Sequence, residues 1–251
     1  MKPRIEVQCC VSPELRERNI GLCPAHYMEP AGHGHLAVVG GGHSALEHID
    51  TLRAWDGEIW AINGTWAWCR DHGIDAAFMS ADPQAEQVDL IGGVERAVLA
   101  SHTDPAVWPM LADADVRVFR YDVPGPTSAV GASMVAIKSG WRKVTYFGCE
   151  GSFGETTHTF KNEAYNLVRI EIASEAFLTK LEFIVQAEQL AGIIRKLPQF
   201  YAEQSGGMLR ALIANDEWDL THASPSIVAA TQFVEAERGC PFPPAYGMEM
   251  I

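Results

Sequence analysis

No run of about 18 apolar residues occurs in this sequence, so no segment reads as a membrane span. The first residues, Met1 to Gln8, carry charges and lack an apolar core, so no export signal is read there. Cysteine is sparse. Its six residues (Cys9, Cys10, Cys23, Cys69, Cys149 and Cys240) are scattered without a pairing framework. Reduced thiols and a cytoplasmic location are therefore expected. Cations are also scarce: 19 Lys and Arg stand against 32 Asp and Glu, a formal charge of -13. This balance disfavours a protein that grips nucleic acid phosphates over a wide surface, because such binding rests on cationic side chains. A small anion held by backbone amides stays open. Internal repeats and low-complexity segments are absent.

What is present is a globular composition, 47% hydrophobic and 20% charged over 251 residues. A chain of that length buries a substantial core without disulfide or metal staples.

Short apolar runs bounded by glycine and polar residues mark strands buried on both faces. Leu36 to Val39 is the first, entering Gly40-Gly41-Gly42-His43-Ser44 and a helix from Ala45 to about Trp55. Glu58 to Ile62 ends at Asn63-Gly64, with a helix from Trp66 to Asp71. Ala76 to Met79 ends at Ser80-Ala81-Asp82-Pro83, Ala97 to Ala100 at Ser101-His102, and Lys143 to Phe147 at Gly148-Cys149-Glu150. Val116 to Arg120 is a further strand. A polar loop from Pro124 to Ser133 leads into a helix reaching Ser139-Gly140, and Glu171 to Leu197 has apolar residues at helical spacing. Alternating strands and helices predict an α/β fold with a doubly wound, mostly parallel, Rossmann-like sheet and a helical C-terminal part. The expected organisation is an N-terminal extension over residues 1–35, a nucleotide-binding core over 36–165, and a helical part over 166–251 packed on it. Arg4 to Val11 reads as extended.

Ligands of a doubly wound sheet bind beyond the carboxyl ends of its strands. The strand-end residues Gly40, Gly41, Gly42, Ser44, Asn63, Asp82, His102 and Glu150 therefore converge, with Thr127, Ser128, Gly131 and Ser133 opening onto the same edge. The set is polar and rich in small residues, which suits phosphate held by amides at helix N-termini rather than by Lys or Arg. Each member has a plainer reading beside this one. Ser44 caps a helix or donates to an oxygen; Asn63 pairs with a base or sugar edge or shapes the turn with Gly64. Asp82 holds a ribose, metal or substrate, or caps the next helix. Gly125 to Ser133 is an anion cradle or an ordinary loop with a cap.

His158, in the flexible segment Gly151 to Phe160, is the general acid/base candidate because imidazole titrates near neutrality; otherwise it is a surface loop histidine. His102 is a second candidate. Cys9, Cys10, Cys23 and His26 lack the paired knuckle of a zinc site, so no metal ligands are assigned. Val38 to Glu47 also looks like the nicotinamide-binding turn of flavoprotein reductases, but a second dinucleotide motif and a redox cysteine pair are absent, and Asn63 stands where a ribose-binding acid is expected. Trp55, Trp60, Trp66 and Trp68 read as packing.

In order, these motifs resemble the family named after archaeal hydroxymethylpterin pyrophosphokinase, whose superfamily is similar to motility accessory glycosyltransferases and bacterial sialyltransferases. The matching positions are Gly40 to Ser44, Asn63, Gly73-Ile74 through Asp82-Pro83, Gly131-Ala132-Ser133 and Gly148-Cys149-Glu150. His43 replaces the family's usual Pro, and Glu150 its usual Asp. The resemblance implies a nucleotide-dependent transferase. Glycosyl transfer from a nucleotide sugar to a small-molecule or glycan acceptor is the leading expectation, with Asp82 and His158 as catalytic residues. ATP-dependent pyrophosphoryl transfer to a pterin-like alcohol, requiring Mg²⁺ near Asp82, is the second. A non-catalytic nucleotide or sugar binder is the third.

Overall fold

A computed structural model describes residues 12–24, 30–120, 127–154, 158 and 167–215. The strands are β1 (His35–Val39), β2 (Glu58–Ile62), β3 (Ala77–Ser80), β4 (Arg96–Ala100), β5 (Asp115–Phe119), β6 (Lys143–Phe147), β7 (Val168–Ile172), β8 (Glu175–Thr179) and β9 (Tyr201–Glu203). Seven of them form one sheet in the order β5-β4-β3-β2-β1-β6-β9, and every pairing in it is parallel. The doubly wound expectation is borne out.

The apolar runs explain the sheet. Leu36, Ala37, Val38 and Val39 are all fully buried, and their alternation sends Leu36 and Val38 to one face and Ala37 and Val39 to the other. The first face is covered by α4 (Ser128–Lys138), α5 (Leu181–Lys196) and α6 (Gly207–Ala214). The second is covered by α2 (Ile49–Arg53), α3 (Thr65–Asp71) and two 3₁₀ segments, Ala85–Leu90 and Pro105–Leu111. Helix α4 is apolar almost all round, and residues 128–137 are buried between the sheet and α5. Trp60, Trp66 and Trp68 are buried, as the packing reading expects; Trp60 Nε1 donates to Glu58 Oε1 and Trp66 Nε1 to the Ala76 carbonyl.

Two helices differ from expectation. After the glycine-rich turn the chain forms a 3₁₀ segment, His43–His48, tightened by an Ala45 N–H bond to the Gly42 carbonyl, and only then the short α2. The region 171–197 is not one helix. Val168, Ile170 and Ile172 alternate with polar residues, and Ala173 and Ser174 both adopt positive φ, at 50° and 68°, so the chain turns back as the β7–β8 hairpin before α5 begins. Helical spacing from Leu181 onward masked the period of two before it. The chain beyond residue 166 also enters the sheet, because β9 pairs with β6.

Ahead of β1 the chain forms α1 (Pro13–Gly21), capped by Ser12 Oγ, which accepts from the Leu15 amide. The extended stretch expected at Arg4 to Val11 lies outside the described residues.

Candidate active site

Strand order reverses between β1 and β6, so the topological switch point lies where Gly40 and Gly148 leave the sheet. The two loops abut. Gly40 N–H donates to the Phe147 carbonyl and Gly42 N–H to the Gly148 carbonyl, each at 2.8 Å. A Cβ on Gly40 would lie 2.4 Å from the Gly148 oxygen, and one on Gly148 would lie 2.3 Å from the Gly40 oxygen. Only glycine fits this crossing.

Glu150 sits inside the glycine-rich turn. Its Oε1 accepts from the Ser44 amide at 2.9 Å and its Oε2 from the Ser44 hydroxyl at 2.8 Å. The side chain is buried, and a Cβ on Gly42 would fall 2.2 Å from Oε2. Burial raises the Glu150 pKa, opposed by the two Ser44 bonds and by the charge of His43. The turn is therefore an anion cradle whose occupant is a carboxylate of the same chain. Ser44 and Glu150, both expected to contact a nucleotide, are engaged with each other.

At the end of β2, Asn63 adopts φ 49° and its carbonyl accepts from Trp66 N–H, so it does shape the turn. Its Oδ1 is shielded from solvent and has no hydrogen-bond partner, an acceptor that a ligand donor would satisfy.

The α4 residues divide. Ser133 is fully buried, accepting from Tyr146 Oη at 2.6 Å and donating to the Ala129 carbonyl, while its own carbonyl accepts from Tyr201 Oη. It joins α4 to β6 and β9 and does not face the edge. Gly131 is buried within the same helix. Ser128 Oγ accepts from Ala81 N–H at 3.0 Å, which brings the start of α4 to the end of β3. Thr127 caps the helix, its Oγ1 accepting from Val130 N–H. The start of α4 therefore lies at the carboxyl edge, where an eleven-residue helix has its positive end.

Asp82 is half-buried; its carboxylate accepts from the Gln84 amide at 3.0 Å and Gln87 Nε2 at 3.3 Å. Burial raises its pKa, and nearby Glu86 adds to the rise. Among the described residues no group of three His, Cys, Asp or Glu lies close enough to share a metal. Mg²⁺ held mainly by substrate phosphates and water needs only one or two protein carboxylates, so Asp82 alone stays a candidate for it. Of the zinc candidates, Cys9, Cys10 and His26 lie outside the described residues.

Helix α1 reaches this same edge, which no sequence signal indicated. Asn19 is fully buried; its Nδ2 donates to the Pro83 carbonyl at 3.1 Å and the His102 carbonyl at 3.0 Å. His102 is buried too, with Nε2 donating to the Ala81 carbonyl at 2.8 Å. Burial lowers its pKa, the bond to Ala81 opposes that, and the Arg16 charge reinforces it. His102 ties the ends of β3 and β4 together and does not present a free Nε2 to a substrate. Asn19 Oδ1, Gln87 Oε1 and Thr103 Oγ1, all buried around these loops, have no hydrogen-bond partner.

His158 is half-buried, edge-on to Phe153 and Phe183 with ring centroids 6.3 and 6.2 Å away. Phe153 N–H bonds to the Leu178 carbonyl, and Gly154 lies against the His43 ring. The segment after β6 is thereby seated between the glycine-rich turn and the β7–β8 hairpin. Two open grooves are found: one of about 720 Å³ beside Ala173, Gly207 and Arg210, next to the loop that carries Glu150, and one of about 700 Å³ beside His35, Trp55 and Lys143, at the opposite end of β1 and β6. Among the described residues no helix is long and apolar enough to cross a membrane.

No protein-family model and no curated protein matches this chain. Among solved structures it is similar to the MAf glycosyltransferase from Magnetospirillum magneticum AMB-1, with a TM-score of 0.61 and 18% sequence identity. The similarity covers 89% of this chain and 41% of that one, so the chain spans less than half the length of that protein. The likeness is one of fold.

Proposed function

We propose that the chain is a transferase that takes a nucleotide-sugar donor at the carboxyl edge of its sheet and passes the sugar to an acceptor hydroxyl. The observation that carries this reading is the make-up of the edge. It combines an unpartnered buried acceptor on Asn63, the start of α4 with its Thr127 cap, and the carboxylates of Asp82 and of the Ser44-bound Glu150, with no group of three metal-ligating side chains among the described residues. Such an edge suits a donor whose phosphates are neutralised by amides rather than by a shared metal. The name of the structurally similar protein, a glycosyltransferase, supports the same reaction class.

In this reading the Asn63 side chain meets the nucleoside, and the α4 amides meet the phosphates. The acceptor oxygen bonds to the anomeric carbon as the bond from that carbon to the phosphate oxygen breaks. His158 takes the acceptor proton, Asp82 orients a sugar or acceptor hydroxyl, and the nucleotide leaves as an anion held by the α4 amides. Pyrophosphoryl transfer is the second reading, in which Asp82 would face Mg²⁺ carried by the ATP phosphates.

A thermal-shift series over nucleotides and nucleotide sugars tests the proposal. A donor at a hundred times its Kd adds about 2.7 kcal/mol of stability. One nucleotide sugar should shift the Tm without added metal and be consumed when an acceptor is present. A shift by ATP alone, dependent on Mg²⁺, would favour the pyrophosphokinase reading. Binding with no turnover by any donor would favour a binding protein.

A further inference from the structure

We infer that Glu150 is a specificity-determining residue: its carboxylate fills the anion position of the glycine-rich turn, so this turn excludes phosphate. Both donors that Ser44 offers are already taken, at 2.9 and 2.8 Å. The space over Gly42 that a phosphate oxygen would need holds Glu150 Oε2. An incoming phosphate would have to displace a like charge that is 5% exposed.

The backbone fixes that carboxylate in place. The Glu150 carbonyl accepts from Leu209 N–H at 2.9 Å, and the Cys149 amide donates to Ser205 Oγ at 3.0 Å. Behind Glu150 stands Gly207, where a Cβ would come within 2.9 Å of Glu150 Cβ, so the start of α6 walls off a retreat. The turn leads into a six-residue 3₁₀ segment and a five-residue helix, and these offer little dipole to reward a second negative charge. Phosphate is left with the start of α4 on the other side of the edge. This last step rests on the nucleotide-sugar reading; the exclusion of phosphate from the turn does not.

The test uses inorganic pyrophosphate and the ¹⁵N-labelled full chain, at constant ionic strength held with chloride. In the wild type the Ser44 amide resonance should not move as pyrophosphate is added. In Glu150→Ala it should move saturably, with an affinity at least tenfold tighter than any wild-type binding at that amide. Glu150→Gln keeps the size and loses the charge, so it should show a smaller gain and serves if the alanine variant does not fold. A wild-type Ser44 amide that titrates with pyrophosphate, or folded variants that gain nothing, would overturn the inference. Because no nucleotide sugar is present, failure here is distinguishable from failure of the proposed function.

Discussion

Asn19 and His102, 83 residues apart, are joined by a hydrogen bond from the Asn19 side-chain amide to the His102 carbonyl at 3.0 Å. The same amide holds the Pro83 carbonyl. One side chain thus fixes α1 over the ends of β3 and β4. Asn19→Leu removes the donor from two carbonyls and should cost about 1–3 kcal/mol, the range for leaving buried polar groups unpaired. Urea denaturation should show a lower midpoint with an unchanged slope. A variant as stable as the wild type would make α1 a loosely attached element.

His102 supplies a pH dependence whose sign can be worked out. Burial holds its folded pKa below the ordinary value of 6.5, so the folded protein binds this proton less readily than the unfolded chain. Its contribution to stability is complete above that ordinary value and is lost as pH falls through the folded value. His102→Gln, which can still donate to the Ala81 carbonyl, should flatten this part of the curve. Melting temperatures of wild type and variant, followed downward from about pH 7.5 to about pH 5, should converge on acidification. Parallel curves would contradict the assignment.

Asn63 has two duties that substitution can separate. Asn63→Gly tolerates the φ of 49° but removes the amide, whereas Asn63→Ala removes the amide and strains the turn. If Oδ1 meets the donor, both variants should weaken nucleotide-sugar binding by about 1–3 kcal/mol in calorimetry. Wild-type affinity in the glycine variant would leave Asn63 with the turn alone.

For His158, proton transfer in the rate-limiting step predicts that His158→Ala lowers kcat by about 10²–10⁴-fold with donor affinity little changed. A bend in the wild-type pH profile that comes from this proton transfer should be lost in the variant. A raised KM with unchanged kcat would instead make His158 a contact to the substrate.

The sheet was legible because its strands are apolar on both faces. Leu36 to Val39 and Lys143 to Phe147 announce themselves without any long-range information. The hairpin at Ala173-Ser174 was not legible, since neither residue is a usual choice for positive φ and the helix beyond it dominates the local period. At the edge, the sequence brought Gly40, Asn63, Asp82 and Glu150 together, which topology alone requires. Which donors were already spent inside the chain depends on side-chain geometry: Ser44 on Glu150, Tyr146 on Ser133, and Asn19 on two distant carbonyls. Asn19 carries no local signal at all, because its partners lie 64 and 83 residues away.

Hydrogen–deuterium exchange of the full chain, with and without the nucleotide sugar that gives the largest thermal shift, tests the central claim most directly. Binding at the carboxyl edge should slow exchange in peptides covering residues 60–66, 79–84 and 127–131, where Asn63, Asp82 and the start of α4 lie. Protection confined to the grooves beside Arg210 or beside Trp55, with those three segments unchanged, would contradict it.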